Sequence, residues 1–274
     1  MTAHADTAAE TRMGTDVSEP VIAVEDLTTH FGQERILSDV NLDVRPREIM
    51  VIMGASGSGK STLLYHLLGL LSPTSGTARI LGRDIATIGQ AELTRLRCRM
   101  GVAFQGGALF SSMTVGENIM LPLQEHTDLD ETTMRIMARM KIEVVNLAGA
   151  EALMPSQLSG GMAKRAALAR AIAMDPTILF CDEPSAGLDP IVAAAIDQLI
   201  LDLRAAFGMT VVAVTHELES AFAIADRICV IDGGEVVIVD TVESVRACAD
   251  QRVQDLLNRR VQVPEVDPDA IMRV

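Results

Sequence analysis

The chain has 274 residues, 49% of them hydrophobic and 22% charged, enough core for one large α/β domain and too apolar for a disordered class. Its 23 Lys and Arg against 37 Asp and Glu leave a formal charge of −14, the wrong sign for general nucleic-acid binding, where affinity comes from neutralising phosphates. No apolar run reaches the roughly 18 residues of a membrane span, and the Thr-, Ala- and acid-rich start lacks the apolar stretch of a signal peptide.

Residues 1–19 read as a disordered leader. From Val21 the pattern becomes strand-like, with Ile22-Ala-Val24, a turn at Phe31-Gly32 and a second strand at Val40–Val44, which together predict a small antiparallel element. The apolar run Ile49–Met53 then leads into Gly54-Ala55-Ser56-Gly57-Ser58-Gly59-Lys60-Ser61-Thr62, a complete phosphate-binding loop, with a helix predicted over Leu63–Leu71 and stopped by Ser72-Pro73. In that strand–loop–helix setting the glycines let backbone N–H groups point at the β- and γ-phosphates of a nucleoside triphosphate. The helix N-terminus adds partial positive charge, Lys60 a point charge, and Ser61 a hydroxyl suited to Mg²⁺.

A further strand pair is expected around Gly76–Leu81 and a short buried strand at Met100–Phe104. The basic cluster Arg79, Arg83, Arg95, Arg97 and Arg99 reads as a solvated face. Residues 106–174 change to helical spacing and form a helical insert, in which the methionines of Met134–Met140 are packing residues. Leu158-Ser159-Gly160-Gly161-Met162 opens a helix over Ala163–Ala173, ended by Asp175-Pro176. Its Ser-Gly-Gly start suits an anion, or is an ordinary N-cap.

Ile178–Cys181 and Val211–Val214 have the unbroken hydrophobicity of central parallel strands. The first ends in Asp182, placed for Mg²⁺, and Glu183, placed to polarise an attacking water. His216 follows the second, at the sheet edge where ligands collect, whereas His4, His30, His66 and His126 read as structural. Asp232-Gly-Gly-Glu235 between two apolar runs is a hairpin signal, and a last helix is expected over about 241–260, followed by a Pro-punctuated tail. Cys98, Cys181, Cys229 and Cys248 show no paired spacing, so the chain reads as reduced and cytosolic.

The order of these motifs over about residues 20–245 resembles the nucleotide-binding subunits of ABC transporters. That resemblance implies a P-loop NTPase with a RecA-like parallel-sheet core, a small antiparallel β element and an inserted helical subdomain at about 106–174, leaving 246–274 as a helix end and tail. It also implies roles: Gln105 as the glutamine-loop residue near Mg²⁺, Ser159-Gly160-Gly161 as the signature, Ser185–Asp189 as a loop near the nucleotide, His216 as the switch, and Phe31 as the residue stacked on adenine. Met162 departs from the Gln common in the family, but contact with nucleotide there comes mainly from Ser159 and the glycines. In the family the signature of one subunit completes the site of another, so a head-to-tail homodimer holding two ATP and two Mg²⁺ is expected.

Phe104–Val115, Leu121–Thr127 and Ala152–Arg165 are similar to the ATPases of Mla-type phospholipid transporters. This narrower likeness implies a permease, an MCE-domain protein, often a small STAS-domain protein, and a place on the cytoplasmic face of a bacterial inner membrane, with membrane contact only through the permease. The alternatives are the ATPase of an importer for a small solute and a soluble ABC ATPase. The tail 261–274 is expected to reach across the dimer or contact a partner, or else to fray.

Overall fold

The computed structural model describes residues 19–258, so residues 1–18 of the leader, Arg259-Arg260 and the tail fall outside the described residues. The expected antiparallel element is a four-stranded sheet. It is built from β1 (Ile22–Phe31), β2 (Glu34–Val44), β4 (Ser75–Ile80) and β5 (Arg83–Asp84) in the order β2-β1-β4-β5.

The second sheet has six strands: β3 (Ile49–Met53), β6 (Met100–Ala103), β7 (Ile178–Asp182), β8 (Thr210–Val214), β9 (Arg227–Asp232) and β10 (Glu235–Thr241). Its order is β10-β9-β3-β8-β7-β6, parallel except for the antiparallel edge strand β10. Every residue of β3 and β8 is buried, because both faces of the sheet are covered; hence the continuous apolar runs in the sequence. Met50, Ile52, Phe180 and Val212 join a core with the four-stranded sheet and α1 (Lys60–Leu67). Ile49, Val51, Met53, Leu179 and Val211 belong to the other core, with α3 (Val115–His126), α4 (Glu131–Val144), α5 (Gly160–Ala171) and α6 (Pro190–Phe207). The period-2 alternation of side chains thus divides one strand between two cores.

Three expectations need correction. Helix α1 stops at Leu67 rather than Leu71, because Gly69 takes φ 65° and the Leu70 N–H turns back to Tyr65 O at 2.8 Å. The last predicted helix is two, α8 (Val242–Ala247) and α9 (Gln251–Leu257), since Cys248 leaves the helix at ψ 129° and Asp250 caps the next by accepting from Arg252 N–H. In the basic cluster Arg79, Arg83, Arg95 and Arg99 are exposed, as a solvated face requires, and only Arg97 is part-buried. Arg79 pairs with Glu25 and Arg83 with Glu92, Arg97 donates to Leu68 O and Gly69 O beyond the end of α1, and Arg99 bonds Thr177. Met134 is buried as expected, but Met140 is 58% exposed on the outer face of α4. Helices α2 (Gln90–Arg97) and α7 (Leu218–Ile224), like α6, were not anticipated.

The hairpin at Asp232–Glu235 forms as expected, with both glycines at positive φ, 55° and 83°. Cys181 and Cys229 are fully buried, and burial pushes both thiols up to about 12. All four cysteines are free.

Candidate active site

The phosphate-binding loop leaves β3 at Gly54 and enters α1 at Lys60. Two features brace it from outside. A Cβ at Gly54 would lie 2.1 Å from Ile231 O, so only glycine lets the loop pass beside β9. Behind it, Gly234 N–H donates to Ser58 O (3.2 Å) while Ser38 N–H donates to Gly234 O (2.9 Å), which ties loop, hairpin and β2 together. Lys60 Nζ curls over the loop and donates to Gly54 O (2.9 Å) and Ala55 O (2.8 Å). Burial lowers the Lys60 pKa, and Glu183 and Asp182 oppose that. Ser58 Oγ is buried with no partner, and Ser61 is exposed at the helix start. A cationic nest with an unsatisfied hydroxyl suits a phosphate chain.

Three parallel strands deliver their ends to this loop, as expected at the C-terminal edge of an α/β sheet. Asp182 ends β7, and its pKa is raised by burial and by the neighbouring Glu183. A carboxylate at the strand end and a serine hydroxyl at the helix start are a donor set that fits Mg²⁺.

Glu183 lies just beyond, 8% exposed, with its backbone at φ 49°. Its N–H donates to Val214 O (2.8 Å), its Oε2 accepts from Thr215 Oγ1 (3.1 Å), and its Oε1 accepts from His216 Nδ1 (2.6 Å). A left-handed, non-glycine conformation costs on the order of 1–3 kcal/mol and persists only where its surroundings over-determine it. Thr215 was not singled out in the sequence; its place between a buried strand and His216 was the available signal. A cavity of about 970 Å³ opens beside the loop, lined by Gly54, Ala55, Ser56, His216, Asp232 and Arg252 among others.

The remaining residues predicted for the site lie on other elements. Gln105 is exposed just past β6, its carbonyl held by Lys164 Nζ at 2.7 Å. Phe31 ends β1 and is 52% exposed. Ser159 caps α5 by accepting from Met162 N–H (3.3 Å), and Asp189 caps α6 by accepting from Ile191 and Val192 N–H. Both are thus ordinary N-caps within this subunit. A Cβ on Gly161 would stand 2.6 Å from Val192 Cγ1, so this glycine is required for α5 to approach α6. No hydrogen bond joins Ser159–Gly161 to the phosphate loop among the described residues.

The segment after Gln105 is organised by Asn118, fully buried, whose side chain accepts from Phe110 N–H and donates to the carbonyls of Phe110, Met113 and Thr114. Beside it lies a groove of about 500 Å³ lined by Phe104, Ala108, Phe110, Leu121, Pro122 and Met174, among others. Among the described residues no helix is long and apolar enough to cross a membrane.

The model of the ABC transporter family matches residues 37–186. The chain is 43% identical over 241 residues to the intermembrane phospholipid transport system ATP-binding protein MlaF of Haemophilus influenzae, covering 88% of this chain and 91% of that one. It is 39% identical to MlaF of Escherichia coli K12 (87% and 88% covered). It is also 41% identical to a chain of Mycobacterium leprae called "Probable ribonucleotide transport ATP-binding protein mkl" (87% and 69% covered). Among solved structures, a dimeric post-hydrolysis state of the ATP-binding cassette MJ0796 bound to ADP and Pi superposes with a TM-score of 0.74 at 33% identity, covering 81% of this chain and 98% of that one.

Proposed function

The chain belongs to the ABC transporter family as an ATP-hydrolysing subunit, and we propose that it drives the movement of phospholipids between the inner and outer membranes of a bacterium. What carries the substrate reading is a likeness to two MlaF chains that runs along nearly their whole length.

In this reading residues 20–245 are the ATPase domain, with 106–174 its helical subdomain. Gly54–Thr62 hold the ATP phosphates, with Lys60 exchanging its two loop carbonyls for β- and γ-phosphate oxygens. Phe31 stacks on the adenine. Ser61, Gln105 and Asp182 hold Mg²⁺, which when bound neutralises charge developing on the phosphates. Glu183, aimed by Thr215 and His216, accepts the proton of the attacking water. His216 is 60% exposed on the side chain and is placed to report the γ-phosphate to the rest of the site.

Ser159, Gly160, Gly161 and Asp189 act on the nucleotide of a second subunit rather than on that of their own. The working unit is a head-to-tail homodimer, in keeping with the dimeric MJ0796 structures. The apolar groove at Phe104–Phe110 and Leu121–Pro122 receives a cytoplasmic helix of the permease. The subunit is peripheral, on the cytoplasmic face of the inner membrane, and the complex includes an MCE-domain protein and a small STAS-domain protein.

The test is to purify the tagged chain from detergent-solubilised native membranes and identify co-eluting proteins and lipids by mass spectrometry. Recovery of a multi-span permease with an MCE protein and phospholipid supports the reading. A permease with a soluble solute-binding protein, or one that retains nucleotides, overturns it and leaves the ATPase.

A further inference from the structure

Glu183 is fixed from several sides, and one anchor comes from outside the parallel sheet. Its N–H is held by β8 through Val214 O, and its carboxylate by Thr215 and His216. Its carbonyl accepts a hydrogen bond from Lys164 Nζ at 2.6 Å, and Lys164 stands on α5, the helix that Ser159-Gly160-Gly161 opens. The same ammonium donates to Gln105 O at 2.7 Å. Further along α5, Arg170 donates to Ala108 O (2.6 Å) and Gly107 O (3.1 Å), fastening the rest of the segment that follows Gln105. Gly107, Ala108 and Glu183 all have positive φ (73°, 47° and 49°), so the cations of α5 grip turns of high local curvature.

We propose that Lys164 is a positioning residue for ATP hydrolysis: it ties the glutamine segment and the carbonyl of Glu183 to one point on α5, so that the carboxylate is aimed only while α5 is seated. The inference rests on the ATPase reading and needs nothing of the transported substrate. Its physical basis is the backbone of Glu183. A left-handed glutamate relaxes when an anchor is lost, and rotation about its φ swings the carboxylate that Thr215 and His216 hold. A hydrogen bond to a charged donor is comparable in worth to the strain it opposes. Misplacing a catalytic group by about 1 Å costs on the order of 100-fold in rate. Since Gln105 hangs from the same ammonium, a movement of the glutamine segment reaches the backbone carbonyl of Glu183 through one atom.

The test uses the full chain with Mg-ATP and compares Lys164→Met, which keeps the length and loses every donor, with Lys164→Arg, which keeps donors for two carbonyls. The expected result for Lys164→Met is a kcat lowered roughly 10–100-fold with nucleotide affinity within about 3-fold of wild type. Lys164→Arg is expected to recover to within about 5-fold. A Lys164→Met kcat within about 3-fold of wild type overturns the proposal. So does a fall matched by an equal loss of nucleotide affinity, or an Arg variant as slow as the Met variant. If Lys164→Met does not fold, Lys164→Leu, which also loses every donor, replaces it under the same criteria. A wild-type chain that hydrolyses no ATP removes the ATPase reading itself, and the role of Lys164 with it.

Discussion

Replacing Glu183 with Gln removes one negative charge and almost no volume, so it isolates proton acceptance from packing. The native carboxylate accepts from Thr215 Oγ1 at 3.1 Å and from His216 Nδ1 at 2.6 Å. A Gln amide can keep its oxygen toward His216 and turn its NH₂ toward Thr215, whose hydroxyl rotates from donor to acceptor. No buried polar group is left without a partner, so stability is expected to change by no more than about 1 kcal/mol. What is lost is the base. General-base catalysis is worth roughly 10²–10⁴-fold, or about 2.7–5.4 kcal/mol at about 1.36 kcal/mol per decade. Steady-state phosphate release should therefore fall by that factor, with ATP affinity within about 3-fold and an unchanged melting profile. Phosphate release near the wild-type rate would show that another group accepts the proton. A loss expressed wholly in ATP affinity would show that Glu183 holds the nucleotide instead.

Lys60→Ala should weaken ATP binding by roughly 10–100-fold in a calorimetric titration, the worth of one charge-assisted contact; unchanged affinity would contradict the phosphate cradle. Gly234→Ala should destabilise by more than about 2 kcal/mol in denaturant unfolding. There φ is 83° and an added Cβ falls 2.3 Å from Ile36 O, whereas the neighbouring Gly233→Ala, with open space around it, should cost only about 1 kcal/mol. Equal losses at the two positions would refute the bracing contact. For Asp182 the folded pKa is raised, first by burial and then by Glu183, so the unfolded chain ionises more readily and the carboxylate costs stability above its ordinary value of 3.8. Asp182→Asn is therefore expected to raise the melting temperature at pH 7 without nucleotide or metal. The gain should fade as pH falls toward 3.8, and a pH-independent difference would refute the assignment.

The parts of the fold that were legible in the sequence are those where one local pattern has one physical solution. A short all-apolar run rich in β-branched residues such as Val211–Val214 favours a doubly covered strand, and Asp232-Gly-Gly-Glu235 supplies positive φ where a tight hairpin needs it. The phosphate loop announces itself because backbone contact with phosphate demands glycine at fixed offsets. Helix α2 was hidden because Leu96 is its sole buried residue, which leaves almost no apolar stripe. The end of α1 was misread because Leu68, Leu70 and Leu71 prolong the apolar run past Gly69, which carried the stop signal. Lys164 carries no local mark at all, since its two acceptors lie 59 and 19 residues away and only the folded chain brings them to one atom.

The brace behind the phosphate loop has a consequence for how the protein is born. Ile231 and Gly234 belong to the last hairpin of the sheet, made about 180 residues after the loop they support. A nascent chain that has emerged only as far as His216 carries the phosphate loop, both carboxylates, the signature and the switch histidine, yet it lacks the strand beside β3 and the turn that fastens Ser58. Such a chain should hold no nucleotide. ATP thus becomes available as a folding ligand only near the end of synthesis, and a truncation between His216 and the hairpin turn at Gly234 should yield a motif-complete polypeptide that the cell's proteases see as unfolded.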